Sequence, residues 1–534
     1  TAYLWSWALC MDGGDAVGLL HPTAPRRPSQ QRLAQQQHPG HYQQAVHHLP
    51  KALLVQAVME DFAEHYADHQ QRQVAAVVDV RMRQQHRIDV GGRHRQRVPV
   101  AQAQLFVALE QAAVDQQPLA LVLAIGTVGG FVFGALGRPA EPGDEVIVPG
   151  YTFSATAHWG MRPWQDGELY FNPEMVSGVP FSNSLVGLGG FTNGEITRAA
   201  GRNPSLYRQR LFVRQTWGQG GETQQVESDF NQMAGVVDRN RWVLTVGNFS
   251  LLDVFDDNAY AKDPRTQFMN WGNWTYAAYD YAADSRGFGW GAVLEWYHQD
   301  WAVRGGRMNT PQTPNSLAMD FAMARHFGDQ IEIEHAHQWR GQPGKVRVLA
   351  YNNSAVMADF DQASAYLAQQ GYPTLTGPTP LIAVRGAVRT KQGIGLNLEQ
   401  ALSDAWGVFL RVMKSDGKTE TLAFTEVDQS LSMGSLLQGS LWGRGQDSVG
   451  VSYMVNRLSD ARRRYLQNGG VSFFIGDGYR GLNTADERIS ETFYSWGVAP
   501  GHSVTLNWQR INHPGYNADR GPVNVWAARW HAEF

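Results

Sequence analysis

The chain has 534 residues, enough for several ordinary domains or for one large barrel with an extension. A net charge of −4 excludes a nucleic-acid binder by overall charge, and a single cysteine, Cys10, excludes any disulfide within the chain. Charged residues make up only 18%, while 56 Gly, 18 Trp, 19 Tyr and 23 Phe suit many β-hairpins better than helices.

The first ten residues, TAYLWSWALC, carry no basic n-region and do not read as a secretory signal. With Thr1 in first place, the sequence reads as a fragment, a processed form or a frame without its true start. Residues 1 to about 118 are rich in Gln, His and Arg, as in QQRLAQQQHPGHYQQ and RMRQQHRIDVGGRHRQR. Sustained apolar periodicity is scarce there, so this part is expected to be a disordered extension or a misread frame. His65 and His69 have helical metal-ligand spacing with Glu64 beside them, but not the HExxH order, so no metal site is expected.

Residues 119–137, LALVLAIGTVGGFVFGALG, contain no charge and are long enough for a membrane-spanning helix or a displaced signal core. Their five glycines weaken the helical reading. Next comes EPGDEVIVPGYTFSATA, which resembles a short motif of pyridoxal-phosphate-dependent sugar aminotransferases. Nothing downstream continues the likeness and no lysine context for a Schiff base follows, so no cofactor is expected.

From Thr152 onward, segments of about ten residues alternate in polarity and break at Gly, Asn, Asp and Pro; there are roughly fifteen to seventeen of them. GELYFNPEM places Glu168, Tyr170, Asn172 and Glu174 on one face. RQRLFVRQTWG places Arg208, Arg210 and Arg214 on one face and Leu211, Val213 and Trp217 on the other. WGAVLEWYHQ, WGVFLRVMK and HSVTLNWQR sort the same way, whereas IEIEHAHQW puts His335 and His337 on the isoleucine face and leaves its lumen side open. Short turns such as SDGKT and long polar connections such as 355–380 and 456–490 separate the segments. The last strand alternates Trp526, Ala528 and Trp530 with Ala527, Arg529 and His531. An apolar face against lipid and a polar face toward a wet lumen define a transmembrane barrel. A soluble all-β protein is the structural rival.

WQDGELYFNPEMVSGVPFS, VGLGGFTNGE, YRQRLFVRQTWG and RWVLTVGNFSLLDVFDDNAYAKDPRTQFMNWGNW resemble the carbohydrate-selective porin family typified by the pseudomonad glucose porin. The resemblance covers about 152–534, including the terminal Phe534. It implies an all-β fold: an antiparallel outer-membrane barrel of about 16 strands that passes sugars by facilitated diffusion in Gram-negative bacteria. It also implies a first strand ahead of TFSATAHWG. Residues 1–151 match nothing in the family, so that closing strand has no candidate and the chain divides into an extension, 1–151, and a barrel, 152–534.

A sugar needs polar partners along its hydroxyl rim and aromatic surfaces under its CH faces, with binding weak enough for release. The expected pore lining is Arg208, Arg210 and Arg214 as fixed donors, with Glu168 and Glu174 as acceptors that balance them. LLDVFDDNAYAKDPRTQFMNW resembles the family's pore segment and adds Asp253, Asp256, Asp257, Asn258 and Arg265, with Trp271 and Trp274 as stacking surfaces or girdle residues. Glu168 and Glu174 lie about 20 Å apart along one strand, too far for a glycosidase pair, so no catalysis is expected. The partners expected are a mono- or oligosaccharide and outer-membrane lipid, as a monomer or a homo-oligomer. A general or anion-leaning porin is the alternative function, since arginines also attract anions.

Overall fold

A computed structural model describes residues 125–133, 150–179, 188–195, 201–370, 380–423 and 425–533. His65, His69 and Phe534 lie outside the described residues, as does all of the extension before Ile125. The strands in chain order begin with β1 (Ile125–Phe133), β2 (Gly150–Ala157), β3 (Trp159–Trp164), β4 (Gly167–Val179) and β5 (Ser205–Gly218). Two short strands, β6 (Thr223–Val226) and β7 (Gly235–Asp238), precede β8 (Arg241–Phe249), β9 (Gly289–His298) and β10 (Trp301–Met308). After the small pair β11 (Thr310–Pro311) and β12 (Met319–Asp320) come β13 (Phe327–Trp339), β14 (Gln342–Val356), β15 (Val388–Ser403) and β16 (Trp406–Ser415). The chain finishes with β17 (Gln429–Gln438), β18 (Ser448–Arg457), β19 (Glu487–Ala499), β20 (His502–Asn512) and β21 (Val523–Ala532).

Apart from the β6–β7 and β11–β12 hairpins, these form one 17-stranded antiparallel sheet. β2 and β3 are consecutive pieces along the same edge of β4, so 17 segments occupy 17 − 1 = 16 positions. The sheet returns on itself through β1, where Gly130 is the register partner of Thr152 on β2 and of Arg529 on β21. The uncharged stretch 119–137 therefore holds a strand over Ile125–Phe133 and not a spanning helix. Gly126, Gly129 and Gly130 each cost a helix about 1 kcal/mol, and β-branched Ile125, Thr127, Val128 and Val132 favour an extended chain. The closing strand that had no candidate in the sequence is supplied from ahead of Thr152. No helix among the described residues is long and apolar enough to cross a membrane.

The alternation read from the sequence sorts the side chains. Trp526 is 53% exposed on the outer wall, whereas Arg529 on the opposite face is 1% exposed. Leu294, Trp406, Val412, Leu506 and Trp530 share the exposed outer face. In IEIEHAHQW, Ile331 and Ile333 point outward, while Glu332 and Glu334 are buried inside. Turns of two residues, such as Gln299–Asp300, Arg340–Gly341 and Pro500–Gly501, mark one rim. Arg340 and Gly341 both have positive φ, as a two-residue turn matched to strand twist requires. The opposite rim carries the long connections 250–288, 309–326, 357–387, 416–428, 458–486 and 513–522. SDGKT is not a tight turn; it opens the 416–428 connection on this long-loop rim.

One long connection folds inside the ring. From 250 to 288 it buries Phe255, Trp271, Trp274, Tyr276, Tyr279 and Tyr281 against inward wall residues Tyr170, Phe212, Met413, Met454 and Ile489. The apolar core thus lies within the barrel, between this segment and the wall.

Candidate functional site

The inward segment has no sheet ladder to satisfy its backbone, so its amides need other acceptors. Wall carboxylates provide them. Glu332 accepts from the Asp256 amide at 2.8 Å, and Glu399 from the Ala259 amide at 2.9 Å. Glu491 accepts from the amides of Met269 at 2.6 Å and Asn270 at 3.2 Å, and from Nδ2 of Asn273 at 2.7 Å. In return the wall's Arg411 donates to Asp256 Oδ1 at 2.9 Å and to the carbonyls of Ala261 and Asn273 at 2.6 and 2.8 Å. Asn270 caps the short helix α1 (Trp271–Trp274) by accepting from the Gly272 amide.

Along the segment's edge runs a set of charges that meets arginines on the wall. Arg210 grips Asp253 with two parallel bonds of 2.7 and 2.6 Å. Lys262 donates to Asp257 at 2.6 Å, and Arg347 stands 3.7 Å from the other Asp257 oxygen. Arg347 itself is held by Glu334 at 2.6 Å and Glu399 at 3.1 Å, and Arg304 by Glu295, Glu332 and Glu334. The most open members of this set are Asp257 and Lys262, with side chains 44% and 35% exposed. The Lys262 ammonium holds the Asp257 carboxyl well below the usual carboxylate range, against the upward push of burial. For Lys262, burial pulls downward but the carboxylate beside it prevails and raises its pKa. Burial pushes Asp253 upward, but Arg210 overrides it and leaves it below the ordinary value.

The expected lining residues separate into groups. Glu174 is fully buried and saturated: Thr156, Gln209 and Arg265 each donate to it at 2.7 Å, and the Tyr207 hydroxyl bonds its other oxygen. Glu168 accepts from Tyr170 at 2.9 Å and sits 3.6 Å from Arg214, whose guanidinium also bonds the Asn231 carbonyl. Asp256 is buried under Arg411, Asn397 and the Tyr276 amide, and Asn258 bonds Asn397 at 2.8 Å. Trp271 and Trp274 are 2% and 5% exposed, so they are core residues inside the barrel, neither girdle nor open stacking faces.

Arg208 departs from its expected row. The β4–β5 register shifts between Asn172 and Pro173, whose partners are Arg210 and Arg208, so Gln209 is an extra residue. Beyond the bulge the faces exchange. Tyr207 and Gln209 point in to Glu174, while Arg208 lies with Leu206 on the exposed side, over the Trp290 ring at 4.9 Å. Alternation counted straight through RQRLFVRQTWG could not detect that insertion. Lys262, Arg304, Arg347, Arg411 and Glu491 were not singled out; each wall residue among them is a charge on the inward parity of its strand, and that was the available signal.

The family model that matches residues 157–534 describes the carbohydrate-selective porins of the OprB family. The chain belongs to this family. It resembles the high-pH structure of Pseudomonas putida OprB, at 15% identity with a TM-score of 0.58, covering 80% of this chain and 97% of that one. The outer membrane channel DcaP of Acinetobacter baumannii matches at 8% identity with a TM-score of 0.41, over 78% and 97% of the two chains. A mutant porin of Rh. blastica matches at 8% identity with a TM-score of 0.39, over 78% and 100%. No curated protein matches significantly. This OprB-family porin is a carbohydrate channel of the bacterial outer membrane, with a likeness to the OprB fold that extends beyond the match to the family model.

Proposed function

We propose that sugars such as glucose pass by facilitated diffusion along the edge of the inward segment, past Asp253, Asp257 and Lys262 on the segment and Arg210, Arg214 and Glu168 on the wall. The observation that carries this reading is the Asp257–Lys262 pair, the most open charges of the set, each neutralised by the other. A hydroxyl can donate to the carboxylate and accept from the ammonium, while the pair's small net field holds no ion strongly. The other expected lining residues act behind this edge: Glu174 and Arg265 brace the segment against the wall, and Asp256 and Asn258 fix its turn. The apolar outer belt is the lipid-facing surface.

The anion-leaning reading draws on Arg241, which donates to backbone carbonyls, that of Asp238 at 2.9 Å, and lies 4.1 Å over the Tyr297 ring. Planar-bilayer recording separates the two. Glucose is expected to reduce the chloride current in a saturable way. A current indifferent to glucose, together with strong anion selectivity, would reject the sugar path.

A further inference from the structure

The outer wall carries one register row whose character changes along its length. Ile331, Ala350, Ile394, Lys414, Gln429 and Arg457 are successive cross-strand partners from β13 to β18. Its first three members are apolar and its last three polar. The next row toward the short-turn rim is Ile333, Val348, Leu396, Val412, Leu431 and Val455, apolar throughout. The polarity boundary of the outer wall therefore falls at Lys414, Gln429 and Arg457, on the long-loop side, which in outer-membrane barrels faces outward.

Two hollows meet at this boundary. One, of about 710 Å³, is lined by five cations (Lys414, Lys418, Arg457, Arg463 and Arg464) and four aspartates. Asp486 fixes Arg457 at 2.7 Å and Asp361 fixes Arg464 at 2.8 Å, whereas the ammonium groups of Lys414 and Lys418 have no carboxylate partner among the described residues. The other, of about 580 Å³, is a groove on the outer wall that shares Lys414, Ser415 and Asp416 with the first. Its floor is Ala350, a small residue between exposed Ile331 and Ile394 in the same row.

We infer that this face binds a phosphorylated, acylated sugar lipid of the outer leaflet. An acyl chain lies in the Ala350 groove, and the phosphate sits against Lys414 and Lys418, with Arg457 at the wall of the hollow. Unpaired ammonium groups at the edge of an apolar surface suit a lipid phosphate, because the chain places the anion where the cations stand. The inference is independent of the sugar path, since Ala350, Lys414 and Arg457 lie in the outward-facing row of their strands.

The test uses the purified porin in detergent with lipid A carrying both phosphates, the same lipid dephosphorylated, and inorganic phosphate, read by native mass spectrometry. Wild type is expected to retain the phosphorylated lipid, and K414Q/K418Q to bind it roughly 30-fold more weakly. Ala350→Phe is expected to weaken both lipids by filling the groove. Neither variant should change channel conductance or the heat-modifiable mobility of the folded barrel. Equal retention of phosphorylated and dephosphorylated lipid, or an unchanged affinity in K414Q/K418Q, would overturn the inference. So would displacement of the lipid by millimolar inorganic phosphate, which would mark a free-anion site.

Discussion

Arg411→Met removes the guanidinium that pins the inward segment to β16. Arg411 is 1% exposed and bonds Asp256 Oδ1 and three backbone carbonyls: Asp256, Ala261 and Asn273. Its loss leaves Asp256 as a buried carboxylate without a counter-charge, which costs about 3–5 kcal/mol. Local opening of 256–262 should then rise by roughly 150- to 5,000-fold. The rest of the segment stays anchored through Arg210–Asp253, Arg265–Glu174 and Glu491, so the barrel itself should persist. Amide hydrogen exchange of 256–262 reads the opening directly, and open-channel noise in bilayers reads its effect on the pore. Arg411→Met combined with Asp256→Asn should recover most of the protection, because no charge is then left alone. Unchanged exchange in the single variant, or a double variant no better than the single, would refute the view that this buried pair holds the inward segment in place.

Lys262→Gln leaves Asp257 unbalanced at the segment's most open point. The cation-to-anion permeability ratio should rise by roughly 2–5-fold, as expected for one charge acting across an aqueous lumen. In the unaltered protein, the depressed Asp257 pKa stabilises the pair above the unfolded carboxylate value, and that contribution is lost only as pH falls through the lower folded value. Asp257 should therefore add no step to the selectivity between about pH 5 and 9, and a step in that range absent from Asp257→Asn would count against the pairing. At the long-loop rim, Arg462 is fully buried between Glu426 and Asp428, each at 3.1 Å, with its guanidinium 4.8 Å over Phe360. Arg462→Met should strand two buried carboxylates at a cost of about 3–5 kcal/mol and open 458–486 to protease, with the strands still protected. Equal protease resistance would show that this triad does not hold the rim.

Much of the barrel was legible in the sequence because strand alternation is a local signal. Trp526 and Arg529 fall on opposite faces by counting alone, and so do Leu410 and Arg411. Glycines and β-branched residues at 125–133 were equally visible, yet what makes them a strand is pairing with Thr152 and Arg529, partners far apart along the chain.

The candidate site was less legible, and the reason is physical. Asp253, Asp257 and Arg265 stood out as a polar cluster, but whether a charge is open or consumed depends on partners that only folding supplies. Glu174 and Asp256 are saturated by residues on other strands, Trp271 and Trp274 are sealed inside the barrel, and one extra residue at Gln209 turns Arg208 away from the lumen. The sequence by itself determined composition, family and, away from the bulge at Gln209, strand parity, since alternation is set by neighbours two residues apart. Tertiary structure alone decided which charges remain open to a solute, because a buried segment takes its hydrogen bonds from whichever wall residues face it.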